Sequence, residues 1–401
     1  MISMPVDKER AFQRFASWDG VALVLNKEPL LAEVASLPML ALTEAYSNYT
    51  GKHNSVGDRF DFYLGCIDND IPSASCGKEN GVYCCGINRG LICAARNISF
   101  LMFSHPSIMR WVGNPSLETD AKHKEMWDRR EIWGFGVPEY SLVNRAGTAP
   151  MEVNVKMDKD PALVPRCELR RRAALYFARQ MVLIATMHEL VHALRGHIEY
   201  HIRHLGDNRL VELVSQSNHV EYEKKMQFYA LEHEADNRAI SILLINLASG
   251  ADLLLSYDVE FLTLHDRICI FILAGFLLCW LWWICDIFRR YSGVRLDGSL
   301  GQNPIISDRA FSYTYTPMHV AAEVEALNAR ITLAHREALG QLGILARIQP
   351  LFEIAMAAFP PKVGGEGDYL STIERWYGKI ASQLEKYAFL RCSEDPGIVA
   401  V

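Results

Sequence analysis

The alternation of apolar and polar positions divides the chain into segments of distinct period. Residues 30–46 follow a helical pattern, whereas 72–92 changes to short β-prone runs punctuated by Gly77, Gly81 and Gly86. Within those runs, 82–87 is predicted to be a strand. From 114 to 165 the chain carries Pro115, Gly134, Gly136, Pro138, Gly147, Pro150, Pro161 and Pro165 with little sustained period, which predicts loops and an inserted subdomain. Residues 168–195 contain no Gly or Pro and are rich in Ala, Leu, Met and Arg, so one long helix is expected there, with Gly196 as its stop signal.

Further helices are expected at 221–247 and at 268–285, the latter a run of 18 consecutive uncharged and largely apolar residues that includes Trp280, Trp282 and Trp283. Residues 291–317 look like loop. Helices at 321–347 and 369–390 follow, separated by the Pro360-Pro361 and Gly364-Gly365 breaks. The organisation expected is an N-terminal region, 1–165, with strand elements, an edge strand near 75–85 among them, and a loop-rich insertion. A helical core, 166–320, and a C-terminal helical region, 321–401, complete it. The fold class is α+β, mainly α, with a small sheet.

Composition narrows the possibilities. The chain has 401 residues, half of them apolar, enough to bury a large core. Its formal charge of −6, from 41 basic and 47 acidic residues, gives no electrostatic reason to bind a phosphate backbone, so no nucleic-acid partner is expected. Ten cysteines are scattered without a CxxC pair and read as reduced, mostly buried thiols. Residues 1–14 carry acidic and basic side chains where a signal peptide would place an apolar core, so the expected compartment is cytoplasmic.

The chemistry concentrates at His188-Glu189-Leu190-Val191-His192, inside the long helix, where i and i+4 side chains are neighbours and two imidazoles can share a metal. A zinc ion held by two His and one carboxylate keeps a fourth position for water and lowers that water's pKa. Glu189 is placed to act as general base toward it. About forty residues on, Glu232-His233-Glu234-Ala235-Asp236 supplies Glu232 as third ligand, with Asp236 one turn later to orient a ligand imidazole. Singly, His188 and His192 read more readily as satisfied polar residues on a core helix, and Glu232 with Asp236 as a solvated face. Together they do not, because the apolar run 181–187 leads them into a buried neighbourhood where unpaired polar groups are costly. Glu234 and His233 fall off the ligand face and are fallback ligands. His197, His201 and His204 are read as helix-end or surface histidines, since a third histidine ligand would need Gly three and His six positions after His192, and here Gly196 and His197 stand at four and five.

HELVH followed by an ExxxD helix resembles the gluzincin metallopeptidases. The HELVHALRGH form resembles the Lit-like peptidases, intracellular bacterial enzymes of phage exclusion, and more distantly the HtpX-type peptidases. The resemblance implies a zincin-like core, one zinc ion, and hydrolysis of a peptide bond in an intracellular protein, in phage defence or a stress response. It also implies a strand-and-helix entry at residues 82–91. Related families carry a His-Pro pair beyond the apolar helix, and His319 in Thr316-Pro317-Met318-His319 is the corresponding candidate for oxyanion stabilisation. Two other readings stay open: a zinc-binding regulatory protein without catalysis, and a membrane-embedded zinc protease. Residues 268–285 would extend about 27 Å as a helix, barely the hydrocarbon thickness, and serve either as a buried or inner-membrane-associated helix or as a span.

Overall fold

The computed structural model describes residues 7–118, 141–144, 151–154, 164–206, 209–211, 222–255, 259–290 and 366–390. Eight helices occur among them: α1 (Lys8–Ala16), α2 (Pro29–Ala45), α3 (Arg89–Phe103), α4 (Glu168–Leu194), the short α5 (His197–Tyr200), α6 (Tyr222–Ala248), α7 (Leu264–Arg290) and α8 (Glu366–Tyr387). The strands are β1 (Ala22–Leu23), β2 (Phe62–Ile67), β3 (Ala74–Glu79), β4 (Val82–Asn88), β5 (Ser141–Asn144), β6 (Met151–Asn154) and β7 (Arg209–Val211). The molecule is mainly helical with a small mixed sheet, as expected. The expected helix at 321–347 lies outside the described residues.

The sheet runs β1-β2-β4-β3-β7, with β2 parallel to β4 and the other pairs antiparallel; β5 and β6 form a separate antiparallel hairpin. Residues alternate faces along a strand, and β4 shows what this does to the core. Tyr83, Cys85 and Ile87 join the main core, whereas Val82 and Cys84 join a smaller one with Phe12 and Phe15 of α1. The sheet is thus sandwiched between α1 and α4. Residues 75–85 do not form the open edge of the sheet: β4 is interior, and β7 pairs with β3 over Ser75–Gly77. The strand that covers β3 comes from about 130 residues further along the chain, a pairing that leaves no local period.

Helix α4 is the axis of the fold. It packs on β3 and β4 and is flanked by α2, α3, α6 and α7. Two features fix its ends. At the start, Glu118 accepts hydrogen bonds from the backbone N–H groups of Arg166 and Cys167, at 3.0 and 2.9 Å, placing negative charge where the helix dipole favours it. At the end, Gly196 takes the left-handed conformation, φ 76°, that terminates helices. A Cβ at Gly196 would also meet the Tyr387 backbone carbon at 2.6 Å.

The described part of α7's apolar run, including Ile268, Phe271, Leu277 and Trp282, is buried against the protein. Among the described residues, no helix is long and apolar enough to cross a membrane. The described cysteines, Cys66, Cys76, Cys84, Cys85, Cys93, Cys167 and Cys269, are free and buried, as expected.

Arg170 is fully buried in the first turn of α4, yet its guanidinium donates to five backbone carbonyls, those of Phe103, His105, Ile108, Met109 and Val112. It stitches the turn after α3 to α4 and lies 3.8 Å from Glu118. Truncating one partner of a buried charged network leaves the others unpaired. Arg170→Ala should therefore lower unfolding stability by about 3–5 kcal/mol in chemical denaturation. A loss below about 1 kcal/mol, the scale of one ordinary hydrogen bond, would show that water substitutes for the guanidinium.

Candidate metal centre

Helices α4 and α6 pack against each other and face their ionisable residues inward. His188 and His192 stand one turn apart on α4, each 1% exposed, with their Nε2 atoms 2.9 Å apart. Glu232 of α6 brings Oε2 to 3.4 Å from His188 Nε2 and Oε1 to 3.7 Å from His192 Nε2. These three residues are a buried group whose ligand atoms all lie within 4.8 Å of one another, a set that could hold a metal ion.

The donor chemistry tests that fit. Asp236 Oδ1 lies 2.9 Å from Nδ1 of His188, where a carboxylate keeps the ring hydrogen on Nδ1 and leaves the lone pair on Nε2. His192 Nδ1 is likewise engaged away from Glu232, 2.9 Å from Nδ1 of His197. Both Nε2 atoms and a carboxylate therefore point at one small volume. Burial makes such a convergence of electron pairs unfavourable in the absence of a cation. Two imidazoles and a carboxylate are a donor set suited to zinc, and three protein ligands leave a coordination position open.

Glu189, also almost fully buried, follows His188 on the helix. Burial and the contact with Cys85, with a smaller push from the charge of Glu189, hold the Cys76 thiol of β3 well above its ordinary range; the helix that carries Glu189 packs on that strand. On the other side, Trp282 of α7 packs on His188, ring centres 5.6 Å apart.

Around these residues lies a layer that the sequence reading did not find. His197 is fully buried rather than a surface histidine, and its Nε2 lies 2.5 Å from Glu234 Oε2. Glu234 also accepts from Arg195 Nε, at 2.8 Å, and from Tyr377 Oη of α8, at 3.2 Å. Burial pushes the Glu234 carboxyl up, but the charges and hydrogen bonds of His197 and Arg195 outweigh it and bring the pKa down to about 2. Burial holds His197 below the usual imidazole range, against the pull of Glu234. His201 is also buried, His204 is exposed, and His233 turns to Asn237, 3.0 Å away. His319 lies outside the described residues.

No family model, curated protein or solved structure matches this chain.

With zinc as the probe, the protein should bind one ion per chain. His192→Ala and Glu232→Ala should each abolish stoichiometric binding, and Asp236→Asn should weaken it by about 10–100-fold. Isothermal titration against a chelator measures all three. Full retention of zinc by Glu232→Ala would remove the carboxylate from the ligand set.

Proposed function

We propose that this chain is a zinc-dependent endopeptidase acting on a protein substrate. The observation that carries this reading is a three-ligand buried centre with a glutamate beside it on the same helix. Structural zinc sites are closed by four protein ligands, whereas hydrolytic sites keep three and leave one position for chemistry. His188, His192 and Glu232 would hold the ion; when bound, it supplies Lewis acidity toward water and the scissile carbonyl.

The remaining work falls to the chain's own side chains. Glu189 accepts a proton from the attacking water and returns it to the amine leaving group, the two halves of general base and general acid catalysis by one carboxylate. Asp236 keeps His188 with its hydrogen on Nδ1, so the ring is oriented before any substrate arrives. Trp282 and the apolar stretch of α7 exclude bulk water, so the charges inside interact through a low dielectric. The pattern of HELVH with a downstream ExxxD, which resembles gluzincins, supports the same assignment.

A second reading, a zinc-binding regulatory protein, draws on one observation: all three ligands and Glu189 are almost completely buried. Glu189, next to His188 on the same helix, argues against it, because a purely structural site has no use for a general base.

Glu189→Gln should retain zinc and lose cleavage by about 10²–10⁴-fold, the usual worth of a positioned general base. Mapping new protein N-termini in a lysate treated with the wild type, and comparing it with the Glu189→Gln protein, reads this directly. Zinc-loaded wild type that generates no new termini over the variant would sink the endopeptidase and leave the regulatory protein.

A further inference from the structure

The contacts beyond His192 form a single file: His192 Nδ1 to His197 Nδ1 at 2.9 Å, His197 Nε2 to Glu234 Oε2 at 2.5 Å, then Glu234 Oε1 to Arg195 Nε at 2.8 Å. Its members come from three elements, and His197 comes back toward the centre only because Gly196 reverses the chain at the end of α4. We infer that His197 and Glu234 are positioning residues for the metal ligand His192, and that Arg195 ties them to α8. This inference rests on the metal-centre reading above.

The direction of every hydrogen in the file follows from its far end. Glu234 is a carboxylate between an arginine and a tyrosine hydroxyl, so it only accepts. Its neighbour, His197 Nε2, must then carry the hydrogen, and His197 Nδ1 is left with a lone pair. That lone pair accepts from His192 Nδ1–H. The only remaining lone pair of His192 is on Nε2, the atom that faces His188 and Glu232. An aspartate performs this task for His188 in one step; for His192 the task takes an imidazole and a carboxylate in series. The second arrangement reaches farther, and it ends in the C-terminal part of the chain. Arg195 donates to Glu385 Oε1 at 2.8 Å and to the carbonyl of Leu390, while Tyr377 Oη reaches Glu234. Phe389 N–H and Leu390 N–H both bond to the Leu194 carbonyl, at 2.8 and 3.1 Å, so α8 and the residues after it close over the end of the zinc-binding helix. The C-terminal helix thereby belongs to the metal centre's support.

The test uses the full-length protein with zinc and, for spectroscopy, cobalt ions. Loss of such a supporting contact weakens metal affinity by about 10–100-fold, and that loss is expected for His197→Ala. His197→Asn, whose amide oxygen falls near the position of Nδ1 and can still accept from His192, should recover most of the affinity. It should also recover the wild-type cobalt d–d spectrum, which His197→Ala should alter. Glu234→Gln, with no change of side-chain size, should weaken binding in the same direction. If His197→Ala fails to fold by circular dichroism, His197→Asn and Glu234→Gln still decide: wild-type zinc affinity and cobalt spectrum in Glu234→Gln would overturn the inference. A wild type that binds no zinc would instead overturn the metal centre itself, and the two failures are separated by that one control. Equal loss in His197→Ala and His197→Asn would mean that the pocket needs the imidazole for packing alone, which also overturns it.

Discussion

Two imidazoles and a carboxylate, buried within contact of one another, are the arrangement that the remainder of this fold serves. Electron pairs excluded from water are costly unless each group is held by a partner, and a cation at the centre would offset the rest. The partners lie on different segments: Asp236 on α6, His197 just past the end of α4, and Glu234 on α6 again. Satisfying the site therefore means docking α6 against α4 in one register, since a displacement of one residue along α6 would remove Glu232 from the centre and Asp236 from His188. The main core includes residues from the same two helices, so packing and site geometry are the same constraint.

Helix α4 can carry that constraint because both its ends are held by buried guanidinium groups. Arg170 gathers the carbonyls after α3, and Arg195 gathers Glu234, Glu385 and the Leu390 carbonyl. They are 25 positions apart, about 37 Å at the helical rise. Arginine suits both places: its fork of five donors binds several acceptors in fixed directions and stays charged when buried. The spacing of His188 and His192 comes from the helix itself, and the two arginines tie its ends to the turn after α3, to α6 and to α8.

Much of this was legible in the sequence. The absence of Gly and Pro from 168 to 195 marked α4, and i, i+4 geometry on α4 and α6 brought together His188, His192, Glu232 and Asp236, all of which the structure places at one centre. His197 was not legible, for a definite reason. Five positions along a continuing helix would put it about 140° away from His192, and the helix does not continue. The left-handed turn at Gly196 folds His197 back onto its predecessor, and a stop signal does not say where the next side chain will point. Glu234 was set aside because two positions on a helix turn it about 200° from Glu232. The same turn that takes Glu234 away from the ligand atoms brings it to His197 and Arg195 at the end of α4. The edge of the sheet was misplaced because β7 comes from about 130 residues further along the chain, and long-range strand pairing leaves no local period.

The apolar stretch of α7 illustrates how one composition serves different ends. Eighteen uncharged residues satisfy the length criterion for a bilayer, and the same residues satisfy the needs of a helix surrounded by protein, because both environments lack water. Here the described ones are buried, and Trp282 stands against His188. A polar residue in that place would bring a competing donor or acceptor to the imidazole and raise the local dielectric, weakening the interactions among the buried ionisable groups of α4 and α6. Under the proposed function, hydrophobicity at α7 serves the chemistry as well as the core: the drier the wall beside His188, the more strongly the few charged groups near it interact.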